Sequence, residues 1–279
     1  MTVTRLAPTP SGFLHIGNIL SFSITAALAA EYGAKIILRI DDMDRDRVDE
    51  DYLEDIFETL RSLEIAWDEG PRDVAGFRHA WSQLKRLDLY RAALDELAAG
   101  GHVFACDCSR TSIARESADG GYPGTCREKG IPLDEPGVSW RLRTEGLAPS
   151  VRDFIVRKKD GMPAYQLSSL VDDLHYGIDL IIRGEDLRAS TRAQLFLSQF
   201  ITGGEAFRKA VIVHHPLLAG DNGQKLSKSA GATSIRFLRQ QGRTREEIYR
   251  MIGMLLGVED AVYDSLSLGV AAIAAFKIG

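Results

Sequence analysis

Two stretches far apart in the chain combine residue types suited to holding a polyanion. TRLAPTPSGFLHIGN, residues 4–18, sets two prolines, two glycines and one histidine ahead of an apolar-patterned segment. GQKLSKS, residues 223–229, places Lys225 and Lys228 three apart in a serine-rich stretch beside glycine, so that one short segment can bring two ammonium groups to a single anion. In isolation the first is also compatible with a tight turn bearing a surface histidine, and the second with a solvated loop. A third stretch, CDCSRTSIARESADGGYPGTC, gathers all three cysteines of the protein, Cys106, Cys108 and Cys126, within 21 residues. Thiols at that spacing suggest zinc, which prefers four donors in a tetrahedron. Tyr122 completes the set, with His102, Asp107 and a water as rival fourth donors.

The elements that must carry these residues follow from hydrophobic periodicity. VTRLA (3–7) and KIILRI (35–40) read as strands, the second apolar enough to be covered on both faces. Ile16, Ile19, Leu20, Ile24, Ala27 and Leu28 recur at helical spacing, which predicts a helix over about 17–31. A strand, turn, helix, strand unit puts backbone N–H groups and the positive end of the helix dipole at the carboxyl edge of a parallel sheet. A phosphate suits that place. His15 can donate to a phosphate oxygen there, and Gly17 leaves room for a nucleotide base. Helical patterning returns at Tyr52–Leu63 and Leu84–Leu97. Residues 102–150 are rich in Gly, Ser, Cys and Pro and contain one alternating segment, VSWRLR (138–143), which marks an insertion. Sheet-like patterning resumes in DFIVRK (153–158) and IDLIIRG (178–184), followed by a helix from about Ser190 to Ile201. Thr244 and Glu247 have capping-box spacing ahead of Ile248, Met251, Ile252 and Leu255.

The 279 residues are 45% hydrophobic and 26% charged, enough for a sizeable core. A net charge of -5 excludes a large basic field for non-specific nucleic-acid binding, so an RNA partner needs a local basic surface. No run approaches the roughly 18 apolar residues of a membrane span, and MTVTRLAPTP lacks the order of a signal peptide. A cytoplasmic protein without a membrane partner is expected. Three cysteines, an odd number, argue against a disulfide framework.

Taken in order, RLAPTPSGFLHIG, LRIDDMD, YQLSSLVDD, IIRGEDL and KLSKS resemble the motifs of the class I aminoacyl-tRNA synthetases, and more narrowly the glutamyl-tRNA synthetase family. The resemblance runs through most of residues 4–230 and is strongest to the truncated branch that glutamylates queuosine in tRNA(Asp) and has no anticodon-binding domain. That branch has a similar Cys-x-Cys, Tyr-x-x-x-Cys arrangement. The resemblance implies an α/β fold: a Rossmann-type parallel sheet with a zinc-bearing insertion and a short helical C-terminal part. It divides the chain into the first half of the catalytic domain (1–101), the insertion (102–150), the second half (151–219), and the KLSKS loop with C-terminal helices (220–279).

It further implies that His15, Gly17, Asn18, Lys225 and Lys228 bind ATP, with His15 and the two lysines catalytic, and that Arg5, Ala7, Thr9, Asp41, Tyr165, Ser169 and Arg183 line a glutamate pocket. The resemblance likewise implies Mg²⁺ with ATP and one structural Zn²⁺ on Cys106, Cys108, Tyr122 and Cys126, and a monomer acting on queuosine-bearing tRNA(Asp) is expected. The position of Asp41 is commonly glutamate in that family, so the carboxylate is one methylene shorter, and Asn18 replaces the last histidine of the HIGH signature. The rival activities are a minimal glutamyl-tRNA synthetase, a ligase charging a carrier protein or metabolite, a small-molecule nucleotidylyltransferase, and a silent RNA-binding relative.

Overall fold

The computed structural model describes residues 1–117, 119, 121–218, 234–258 and 262–278. Its strands, in chain order, are β1 (Val3–Leu6), β2 (Lys35–Leu38), β3 (Val103–Cys106), β4 (Ser139–Leu142), β5 (Ile155–Arg157), β6 (Leu180–Gly184) and β7 (Val211–His215). The chain forms two compact units. One comprises Met1–Gln83, Ile178–Asp186 and Ala210–Gly279, the other Leu84–Gly177 and Leu187–Lys209.

The first unit is built on a parallel sheet in the order β2-β1-β6-β7. Val3 to Leu6 pair with Lys35 to Leu38, and Leu180 to Gly184 pair with Val211 to His215. The KIILRI strand ends at Leu38, yet its pairing with the neighbouring chain continues: Arg39 N donates to Leu6 O and Asp41 N to Pro8 O, both at 2.9 Å. Between β1 and β2 runs the helix Ile16–Tyr32, which buries Ile16, Ile19, Leu20, Ile24 and Leu28 and ends on Gly33 in the left-handed conformation at φ 63°. These side chains share one core with Leu53, Ile56, Phe57 and Leu60 of the helix Glu50–Ser62 and with Ile248, Tyr249 and Ile252 of the helix Arg245–Leu256. The capping box expected at Thr244 and Glu247 forms, with bonds of 3.2 and 2.9 Å. The helix Ser265–Phe276 lies so close to Ile16–Tyr32 that a Cβ on Gly269 would stand 2.0 Å from Ser23 O. Glycine is required there by the approach of one backbone to the other.

The second unit holds an antiparallel sheet, β3-β4-β5. The DFIVRK strand therefore joins the sheet of VSWRLR: Arg157 pairs with Trp140, and Leu142 N donates to Phe154 O at 3.0 Å. The unit is pinned by a buried network. Arg86 grips Asp172 through Nε to Oδ1 at 2.7 Å and Nη2 to Oδ2 at 2.9 Å, while the Tyr90 hydroxyl donates to Oδ1 at 2.6 Å. Burial, and then the Asp172 charge, push the Tyr90 hydroxyl well above the usual tyrosine range, so it remains a donor at any working pH. Among the described residues no helix is long and apolar enough to cross a membrane.

Candidate active site and metal centre

The turn after β1 is set by reciprocal capping. His15 is the N-cap of Ile16–Tyr32. Its Nδ1 accepts from Gly17 N at 3.1 Å, and Asn18 Oδ1 accepts from His15 N at 3.0 Å. Because Nδ1 is an acceptor, the proton of a neutral ring resides on Nε2, the tautomer a donor to phosphate needs. A Cβ on residue 17 would meet the His15 ring at 3.0 and 3.1 Å, so Gly17 has a local reason to be glycine. Asn18, where the HIGH signature has histidine, holds the backbone of the turn.

Side-chain alternation explains the next grouping. Arg5 pairs with Ile37 across β1 and β2, and Thr4 with Leu180 across β1 and β6. Successive side chains alternate faces, so Arg5, Ala7, Arg39, Asp41 and Arg183 project from the same face of the parallel sheet. Arg5, Asp41 and Arg183 are all buried. Arg5 Nη1 donates to Ile182 O at 3.3 Å. Asp41 is held by Arg39 through two parallel bonds. Arg39 was not singled out from the sequence, although Arg-x-Asp at strand alternation is the pattern that marks it. The adjacent Asp42, also buried, accepts from Ser82 Oγ at 2.6 Å and Gln83 N at 2.8 Å and pairs with Arg45. These bonds fix the segment that follows the strand.

Tyr165 and Ser169 belong to the second unit. They lie four apart on the helix Tyr165–His175 and so share a face, with Tyr165 exposed and Ser169 buried. Lys225 and Lys228 lie outside the described residues.

In the second unit the three thiols converge, with every pair of Sγ atoms within 4.8 Å and Cys108 and Cys126 3.3 Å apart. Zn–S bonds of about 2.3 Å put tetrahedral sulfurs about 3.8 Å apart, so the cluster matches the span a zinc ion requires. None is in a disulfide. The Tyr122 hydroxyl accepts from Cys126 N at 2.8 Å and bonds to the side chains of Cys106 and Cys126. Arg141, itself buried, stacks its guanidinium 3.8 Å from the Tyr122 ring centre and supplies positive charge to a site rich in anionic donors. Burial opposes the Cys106 thiolate, but hydrogen bonds from Tyr122 and Arg141 outweigh it and bring the thiol down to about 7. Burial and the neighbouring sulfurs push Cys108 up to about 12. Of the rival donors, Asp107 Oδ1 lies 3.0 Å from Cys126 Sγ. His102 precedes β3 at the end away from Cys106 and packs tilted against Phe200, with ring centres 4.2 Å apart. The cluster can hold a zinc ion.

The family described as tRNA synthetases class I (E and Q), catalytic domain, matches residues 1–127 and 141–273. The chain belongs to this family. Within this class I group it is 33% identical to the glutamyl-Q tRNA(Asp) synthetase of Nitratidesulfovibrio vulgaris, over 91% of this chain and 86% of that one. The glutamyl-Q tRNA(Asp) synthetase of Symbiobacterium thermophilum is 35% identical over 93% of this chain and 88% of its own length. The glutamate–tRNA ligase of Dehalococcoides mccartyi is 33% identical over 90% of this chain, which spans only 55% of that ligase. The crystal structure of the glutamate–tRNA synthetase from Elizabethkingia anophelis shares the class I fold, with a TM-score of 0.75 at 22% identity, covering 96% of this chain and 66% of that one.

Proposed function

We propose that this synthetase-family enzyme activates glutamate with ATP and transfers the glutamyl group to queuosine in the anticodon loop of tRNA(Asp). The observation that carries the proposal is the match along nearly the whole length of relatives named for that activity, at 33–35% identity. The chemistry of the sheet face supports the amino acid. Arg5 and Arg183 are buried guanidiniums, suited to a dicarboxylic substrate through paired hydrogen bonds, and Asp41 is suited to the α-ammonium. Ala7 and Thr9 follow Arg5 along the chain, and the family resemblance also assigns Tyr165 and Ser169, four apart on one helix of the second unit, to glutamate.

In the first step a glutamate carboxylate oxygen attacks the α-phosphorus of ATP, the bond from that phosphorus to the oxygen bridging to the β-phosphate breaks, and pyrophosphate leaves, giving glutamyl-adenylate. Negative charge grows on the phosphoryl oxygens. His15 Nε2, the N–H groups of the helix that His15 caps, Lys225 and Lys228 stabilise that charge, with Gly17 and Asn18 shaping the turn. In the second step a hydroxyl of the RNA attacks the acyl carbon and AMP leaves. Mg²⁺ bound with ATP would neutralise phosphate charge, and Cys106, Cys108, Tyr122 and Cys126 would hold a structural Zn²⁺ that keeps the insertion of residues 102–150 in shape to meet RNA. Thiols that are not paired in disulfides suit the reducing cytoplasm.

The test offers radiolabelled glutamate with tRNA(Asp) containing queuosine, the same tRNA lacking it, and tRNA(Glu), then digests the products. Label on the queuosine nucleoside is expected. Label on the terminal adenosine of tRNA(Glu) refutes the proposal.

A further inference from the structure

The turn carrying His15 is held from a second direction, by the helix Ile235–Gln240. Ile235 N donates to Leu14 O at 2.8 Å, and His15 and Ser234 form an antiparallel bridge. The Phe13 ring is gripped on two sides. Tyr52, from Glu50–Ser62, meets it edge to face at 4.8 Å and 89°, and the Arg236 guanidinium lies over it at 4.6 Å. One turn on, Arg239 Nη2 bonds to the buried Asp55 Oδ1 at 2.6 Å and reaches Glu58 at 3.3 Å. Arg236 also faces Asp51, at 3.7 Å. The helix is therefore tied by ion pairs to Glu50–Ser62, and through Arg236 it presses on the residue two before His15.

We propose that Arg236 is a positioning residue for ATP: its guanidinium on the Phe13 ring fixes the turn that aims His15, while the Asp55–Arg239 pair fixes the helix that carries it. The proposal rests on the assignment of His15 to the ATP phosphates. The ion pairs to Asp51 and Glu58 are exposed and contribute little by themselves. Of the Arg236 and Arg239 side-chain contacts, the cation over the Phe13 ring is the one that touches the His15 turn, and it adds to the backbone contacts that Ser234 and Ile235 make there. Misplacement of a catalytic group by a fraction of an ångström weakens its interaction with charge that develops at a fixed point, which is how a remote side chain alters substrate affinity without entering the site.

The test measures the ATP dissociation constant by titration calorimetry, KM for ATP and for glutamate in pyrophosphate exchange, and thermal melting. It uses the wild type, Arg236→Gln, Arg236→Lys, Asp51→Asn and Phe13→Leu. Arg236→Gln and Phe13→Leu are expected to weaken ATP binding roughly tenfold with KM for glutamate changed less than about twofold. Arg236→Lys restores most of the affinity because a cation remains over the ring, and Asp51→Asn behaves as wild type. A merely structural role would lower the melting temperature and the active fraction without moving KM for ATP. Unchanged ATP affinity in both folded variants, or an equal rise in KM for both substrates, overturns the proposal. Wild-type protein that binds ATP but shows no glutamate-dependent exchange removes the amino-acid assignment and leaves the ATP comparison to decide this one. Wild-type protein that binds no ATP overturns both.

Discussion

Arg39 and Asp41 meet fork to fork, Nε to Oδ1 at 2.7 Å and Nη2 to Oδ2 at 2.9 Å, with the two side chains only 1% and 8% exposed. The two parallel bonds fix the orientation of the Asp41 carboxylate. The arginine thereby holds a short, buried carboxylate in one orientation.

Breaking that pair is expected to be costly. Arg39→Gln leaves the buried Asp41 without its guanidinium and should destabilise the fold by about 3–5 kcal/mol, read as a shift in the urea midpoint. The double replacement Arg39→Met with Asp41→Leu should recover most of that stability while activity stays lost, because an apolar pair carries no uncompensated charge. A neutral effect of Arg39→Gln would show that this pair does not stabilise the fold.

The metal centre makes a stoichiometric prediction. Protein purified without chelator should carry about one zinc per chain by elemental analysis, and Cys108→Ser should lose it. The fourth donor is decided by comparison: Tyr122→Phe should weaken zinc binding at least about tenfold, whereas Asp107→Asn should leave it unchanged. The opposite ranking would make Asp107, 3.0 Å from Cys126 Sγ, the ligand.

Glutamate should support ATP–pyrophosphate exchange far better than glutamine. The amide leaves a buried guanidinium without its counter-charge, a mismatch on the order of 2–5 kcal/mol. Equal rates with the two amino acids would remove Arg5 and Arg183 from substrate recognition.

Acid stability should depend on Asp179. Burial raises its pKa, but N–H donation from Val3 and Thr2 and the Thr2 hydroxyl outweigh that and hold the carboxyl below its ordinary 3.8. With the folded value below the unfolded one, the stabilisation is complete above the ordinary value and is lost as pH falls through 3.8 toward the folded value. Asp179→Asn should therefore lower stability at neutral pH and flatten its decline between about pH 5 and pH 3, followed by urea midpoints across that range. An unaltered pH profile would show that the carboxylate does not tether β1.

Local features of this protein were written in the sequence because they close within about twenty residues or fewer. The His15 turn and its helix, the Thr244–Glu247 box and the gathering of Cys106, Cys108 and Cys126 each depend on side chains that meet backbone or one another across short separations. The ordered motifs sufficed to place the chain in its family. Short apolar runs were different. VFAC of β3 and VIVHH of β7 carry no period that separates a strand from other buried segments, and only their partners, β4 and β6, make them strands. DFIVRK was legible as a strand, but its pairing with β4 rather than the parallel sheet was decided by contacts outside its own sequence. The same holds for the site. Residue types named Arg5, Asp41 and Arg183, but sheet register put them on one face, and tertiary packing set Arg236 on Phe13 and His102 against Phe200. Hydrogen bonds of caps and turns are specified locally, whereas which strand lies beside which, and so which distant side chains meet, is settled by the burial of the whole core.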